Sequence, residues 1–257
     1  MSPRRAGLPP GRLRAAARHP PGVSGGDRDP GTGPADVLFA LDGTLVDSWA
    51  LYLEAYRRAL EPMVERMPTP EEVQAVGPSA ERHLFRGLLG EERGEEAHRR
   101  FRRHYEALHD ELFEGVYPGV LESLDALRRR GRRLGIVTGK SRPAWEVTRR
   151  RVELGPFHAV VTEDEVAEPK PSPQGLELAL EELDVPPDRT VYVGDALTDL
   201  EAARAAGIRF AAALWGKGEQ ERPDFARRCR EAGAWRLVER PERLVGLVGA
   251  GGEESGG

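Results

Sequence analysis

Asparagine is absent from these 257 residues and cysteine occurs once, as Cys229. One thiol closes no internal disulfide and builds no cysteine metal site, so the chain makes no claim on an oxidising compartment. Lysine is nearly missing too: Lys140, Lys170 and Lys217 stand beside 35 arginines, a bias that with the many Ala, Gly and Pro fits a GC-rich genome. No apolar run approaches the ~18 residues that a membrane-spanning helix needs. The longest, such as Val37–Leu41 and Phe210–Trp215, are the size of strands. Arg4-Arg5 has no apolar segment after it, which argues against an export signal. The net charge is -5, and because residues 1–34 hold six Arg against two Asp, the remainder carries -9. A body of that sign is a poor general binder of nucleic acid. These features predict a cytoplasmic protein with neither nucleic acid nor membrane as partner.

Residues 1–34 contain seven Pro, seven Gly and six Arg without hydrophobic periodicity, which predicts a disordered arm. Residues 249–257 predict a flexible Gly/Glu tail. Between them, short apolar runs at Val37–Leu41, Leu134–Thr138, Ala159–Val161, Val191–Gly194 and Phe210–Leu214, with a weaker one at Arg236–Val238, alternate with helical patterns. That alternation predicts an α/β fold, a Rossmann-like doubly wound parallel sheet over 35–48 and 118–248, with ligands bound beyond the carboxyl ends of its strands. From 49 to 117 only helical periodicity is found: Trp49, Leu53, Tyr56 and Leu60; a capping box at Thr69-Pro70-Glu71-Glu72; then Ala97, Phe101, Tyr105, Leu108 and Leu112. An all-helical cap domain is expected there, hinged near Asp47-Ser48 and Tyr117-Gly119.

Polar residues cluster just after the strands. Asp42-Gly43-Thr44 follows the first, Thr138-Gly139-Lys140 the second, Pro169-Lys170-Pro171 the third, and Gly194-Asp195 with Asp199 the fourth. Carboxylates that could hold a divalent ion, a hydroxyl and a lysine ammonium are the parts that phosphoryl transfer requires. Gly139 and Lys140 precede Ser141, a candidate helix cap, so their amides suit an anion. In the helical stretch, Arg82, His83 and Arg86 follow the Gly77-Pro78-Ser79 turn.

In this order the motifs resemble the haloacid dehalogenase (HAD) superfamily, over about residues 36–248, with a helical cap of the phosphoglycolate-phosphatase or β-phosphoglucomutase type. The resemblance implies a Mg2+-dependent phosphatase of a small phosphorylated metabolite. It implies catalytic roles at Asp42, Thr138 and Lys170, substrate contacts at Thr44, Gly139, Lys140 and Arg82, and a metal held by Asp42, Asp195 and Asp199.

One departure stands out. The family pattern Asp-x-Asp-Gly-Thr places a nucleophilic aspartate two residues before Asp42, and here that residue is Ala40. A methyl group neither attacks phosphorus nor ligates a metal, so activity is expected to be lost or nearly lost and magnesium binding weakened. Asp36 is ~13 Å back along the strand and cannot replace it. Three readings follow: a phosphatase scaffold that has lost its nucleophile, a natural pseudophosphatase that binds a ligand or protein partner, or a pocket recruited for other chemistry with Asp42 as acid/base. His83, His98, His104 and His109 share no i,i+4 pair and read as surface residues, while Cys229 and the four Trp read as packing residues.

Overall fold

The computed structural model describes residues 34–69, 72–73 and 80–248. The predicted arm through residue 33, the tail from 249 and the Gly77-Pro78-Ser79 turn lie outside the described residues. The strands are β1 (Asp36–Phe39), β2 (Val46–Asp47), β3 (Gly115–Val116), β4 (Leu134–Val137), β5 (Ala159–Val161), β6 (Thr190–Gly194), β7 (Arg209–Ala213) and β8 (Arg236–Val238). Six of them form one sheet in the order β5-β4-β1-β6-β7-β8, and every pairing in it is parallel. The doubly wound sheet predicted from the apolar runs is therefore present.

Strand alternation divides the core into two layers. Val37 and Phe39 of β1 join Leu134, Ile136, Val191 and Val193 on one face. Leu38 and Ala40 join Val137, Tyr192 and Phe210 on the other. Both faces are buried, and each large side chain taken out of water contributes about 1.5–3 kcal/mol. Helix α4 (Val120–Arg129) covers the first face with Val120, Leu124 and Leu127. The second is covered by α6 (Gln174–Leu183) through Leu176, Ala179 and Leu183, and by α7 (Leu197–Ala205) through Leu200 and Ala203. Because β1 has β4 on one side and β6 on the other, the connections leave it in opposite directions and open a crevice at its carboxyl end.

The helical stretch holds α1 (Trp49–Leu60), α2 (Glu81–Leu89) and α3 (Glu91–Leu112). Its own apolar cluster also takes in Ala144 and Val147 of α5 (Arg142–Arg149), so the helices pack directly on the α/β body. Thr69 and Glu72 make the predicted reciprocal contacts, Thr69 N–H to the Glu72 carboxylate at 2.8 Å and Glu72 N–H to Thr69 Oγ1 at 3.3 Å. Two expectations need correction. The stretch is not wholly strand-free, since β3 pairs antiparallel with β2 at the two chain crossings. Two residues are too short a run to show a period. The apolar face of α1 is rotated from the one predicted: Leu51, Ala55, Tyr56, Ala59 and Leu60 are buried, whereas Trp49 is 68% exposed and Leu53 46%.

Candidate active site

The turn after β1 brings the first motif over the strand ends. Leu41 C=O accepts hydrogen bonds from Leu45 and Val46 N–H, and Gly43 N–H donates back to Val46 C=O at 3.0 Å. Gly43 has φ +72°, and a Cβ there would lie 2.2 Å from Asp195 Oδ2. Gly43→Ala is therefore expected to cost about 1–3 kcal/mol through strain and to push Asp195 aside. Thermal denaturation should show a melting point lower by several degrees, and an unchanged one would contradict this packing.

Each of the three lysines pairs with one of the three aspartates. Lys140 Nζ lies 3.1 Å from Asp42 Oδ1, Lys170 Nζ 2.6 Å from Asp199 Oδ1, and Lys217 Nζ 2.7 Å from Asp195 Oδ2. Further donors complete the carboxylates. Ser48 Oγ donates to Asp42 Oδ1 at 2.5 Å, and Thr44 Oγ1 donates to Asp195 Oδ1 at 3.2 Å. The buried Asp199 accepts at Oδ1 from Tyr192 hydroxyl and at Oδ2 from Ala196 N–H. Lys217 lacked a motif at the sequence level. It arrives on the loop after β7, which the indole N–H of Trp215 ties to Thr44 C=O at 2.8 Å and where Gly216 lies too close to Gly43 C=O for a Cβ.

Burial alone would lower the pKa of Lys140, but Asp42, Tyr105 and Glu81 outweigh it and hold the ammonium above its usual range. Burial raises the pKa of Asp195 against the pull of Lys217. Ala40 is buried, its N–H bonded to Val193 C=O at 2.8 Å, and its methyl lies in the core layer that contains Tyr192.

Thr138, Gly139 and Lys170 line one cavity together with Ala80, Glu163 and Pro169. Thr138 Oγ1 accepts from Lys140 N–H at 3.1 Å. The start of α5 differs from expectation. Ser141 occupies the N-cap position but its hydroxyl makes no cap bond; N–H and Oγ both donate to Glu81 Oε2, at 3.1 and 2.7 Å. A carboxylate from α2 is a stronger acceptor than the local backbone offers, so the hydroxyl donates to it instead of capping, while of the two amides assigned to an anion Lys140 N–H is turned to Thr138 Oγ1. Arg82 is also committed elsewhere, with Glu95 and Asp164 each 3.3 Å from its guanidinium.

The histidine expectation is corrected as well. His98 and His109 are 1% exposed. His98, Phe101, Tyr105 and His109 follow one another at spacings of three, four and four, so the helical period that marked the aromatic face includes both histidines. Burial, with Arg151 nearby, lowers the His109 pKa to about 4. Of the four Trp, Trp49 is exposed while Trp145 is buried; Cys229 is buried as expected. Beside His98 lie Glu81 and Glu163, and burial followed by the charge of Glu81 pushes the Glu163 carboxyl well above the usual carboxylate range.

Residues 37–213 match the sequence family of haloacid dehalogenase-like hydrolases. Pyrophosphatase PpaX of Bacillus cereus (strain B4264) is 36% identical over 196 residues, 74% of this chain and 89% of the relative. Among solved structures, CbbY of Rhodobacter sphaeroides in complex with phosphate superposes with a TM-score of 0.69 at 29% identity, over 82% of this chain and 96% of that one. A CbbY mutant bound to xylulose-(1,5)bisphosphate gives 0.70 at 28% identity, over 84% and 99%. The matched segment contains the strand-end motifs from Asp42 to Asp199 and most of the sheet, so the chain belongs to the haloacid dehalogenase-like hydrolase family.

Proposed function

We propose that this chain is a phosphatase-type scaffold for a small phosphorylated metabolite whose attacking carboxylate has been lost, leaving it with little or no hydrolytic activity. The carrying observation is the alanine at position 40, two residues before Asp42 at the carboxyl end of the central strand. The groups that would hold a phosphoryl unit remain: Thr138, the Gly139 backbone and Lys170 share one cavity wall. Lys170 offers a compact charge suited to that unit. In this reading Asp42 keeps its acid/base place, held by Ser48 and Lys140, and Asp199 serves to position Lys170. Residues 49–117 act as the cap and 35–48 with 118–248 as the core. Relatives that handle pyrophosphate or bind xylulose bisphosphate support a small phosphorylated ligand.

The donor set as it stands does not fit magnesium, the ion implied by the resemblance. Magnesium demands near-octahedral oxygen ligation. Here position 40 has no side-chain oxygen to give, and Asp42, Asp195 and Asp199 each have an oxygen paired with a lysine ammonium. The three pairs balance three charges against three without any ion. That balance also favours a second reading, a natural pseudophosphatase that binds its ligand or a protein partner and turns nothing over. No helix among the described residues is long and apolar enough to cross a membrane; with the single buried thiol, the cytoplasm is the compartment we propose.

Calorimetry with phosphate or vanadate tests the pocket. Binding is expected with and without magnesium, and Lys170→Ala should weaken it at least tenfold. No heat, together with no change in melting temperature, would remove the basis for a phosphate site.

A further inference from the structure

We propose that Glu81, His98 and Glu163 form a zinc-binding site that joins the helical cap to the α/β body. Glu81 opens α2, His98 lies on α3, and Glu163 belongs to the short turn after β5, so two ligands come from the cap and one from the core. All three are buried, with side chains 1%, 1% and 4% exposed.

Both carboxylates are half used. Glu81 Oε2 holds the N–H and hydroxyl of Ser141, and Glu163 Oε2 accepts from Arg82 N–H at 2.8 Å. The remaining atoms, Glu81 Oε1, Glu163 Oε1 and His98 Nε2, make no hydrogen bond. Buried polar atoms without partners are rare and call for a ligand. A donor atom from each of the three residues lies within 4.8 Å of the other two. His98 Nε2 lies 3.3 Å from Glu163 Oε1 and 3.5 Å from Glu81 Oε2. Tetrahedral zinc with bonds of ~2.0–2.1 Å separates neighbouring ligand atoms by about 3.3–3.4 Å. One nitrogen and two carboxylates suit zinc, whereas magnesium and calcium prefer oxygen throughout. His98 is held in place by stacking on Phe85, with ring centroids 6.1 Å apart.

Charge points the same way. Lys140 lies between this cluster and Asp42, 3.9 Å from Glu81 Oε1 and 3.1 Å from Asp42 Oδ1. That one ammonium is shared between Asp42 and Glu81, so it does not by itself neutralise both carboxylates. A divalent cation beside neutral His98 would supply the remaining positive charge.

The inference does not depend on the phosphatase reading, and its test keeps the two apart. The full chain, stripped with a chelator and dialysed against zinc chloride with millimolar magnesium present, should retain one zinc per chain by elemental analysis. X-ray absorption should show a shell of nitrogen and oxygen only, at ~2.0–2.1 Å. Glu163→Gln should lower zinc affinity at least tenfold, while Asp195→Asn should retain the metal. Zinc absent from the reloaded chain would overturn the site. So would retention in Glu163→Gln with loss in Asp195→Asn, which would move the ion to the strand-end aspartates. If Glu163→Gln does not fold, a crystal of the unaltered chain grown with zinc decides by anomalous scattering. A peak between His98 Nε2 and Glu163 Oε1 supports the site, and its absence, as for carboxyls that merely share a proton, overturns it.

Discussion

Ala40→Asp should raise the release of phosphate from a generic aryl phosphate ester by at least a thousandfold, measured in excess magnesium against the unaltered chain. The scale follows from restoring one essential member of the proposed catalytic unit, because such groups act together and their effects are far from additive. The new carboxylate would start from a strand end held by the Ala40 N–H bond to Val193, on the layer that contains Tyr192, whose hydroxyl touches both Lys170 and Asp199. It would also add the oxygen that the metal-binding side lacks, and give four carboxylates to three ammonium groups. Lys217, 23% exposed and 2.7 Å from Asp195, would have to turn to solvent for a divalent ion to enter. Asp195→Ala in the rescued protein should abolish the gain. A rescued protein that folds and binds magnesium, yet stays inert over a broad panel of phosphate esters, would favour the pseudophosphatase.

Lys140→Ala should be strongly destabilising. The ammonium is fully buried, donates to Tyr105 hydroxyl at 3.1 Å, lies 4.2 Å from the Tyr105 ring centroid, and faces Asp42 and Glu81. Removing one partner from such a cluster leaves negative charge uncompensated, at a cost of about 3–5 kcal/mol when both partners are buried. Asp42 is 34% exposed, which places the expected loss near ~3 kcal/mol and the fall in melting temperature at roughly 6–12 °C. Denaturant titration checks it, and a loss below ~1 kcal/mol would mean that Lys140 is held there for binding alone.

The sheet could be read from the sequence because its strands, buried on both faces, show as apolar runs, and each motif lies at the end of such a run or, for Lys170, on the loop that follows one. Asp42, Thr138, Lys170 and Asp195 were found by that position. Lys217 could not be, since its pairing with Asp195 depends on how the loop after β7 crosses the Asp42-Gly43-Thr44 turn. Glu81, His98 and Glu163 are scattered over three elements, and no short motif links them. Ser141 misled for a related reason: local sequence suggests a cap, but a carboxylate from a distant helix draws its hydroxyl away as a donor. The histidines were different, since the three-and-four spacing around Phe101 and Tyr105 already placed His98 and His109 on the apolar face.

The scarcity of lysine has a practical consequence. All three ammonium groups stand at the strand-end aspartates, with side chains 0%, 13% and 23% exposed, while the arginines supply the remaining side-chain cations. Apart from the chain's own amino terminus, a reagent that modifies amines thus has nothing to find on the outer faces of the folded body. Acylation or reductive methylation becomes a reporter of one cleft, and the protection of Lys217 or Lys170 by an added compound can be followed by mass without any engineered label.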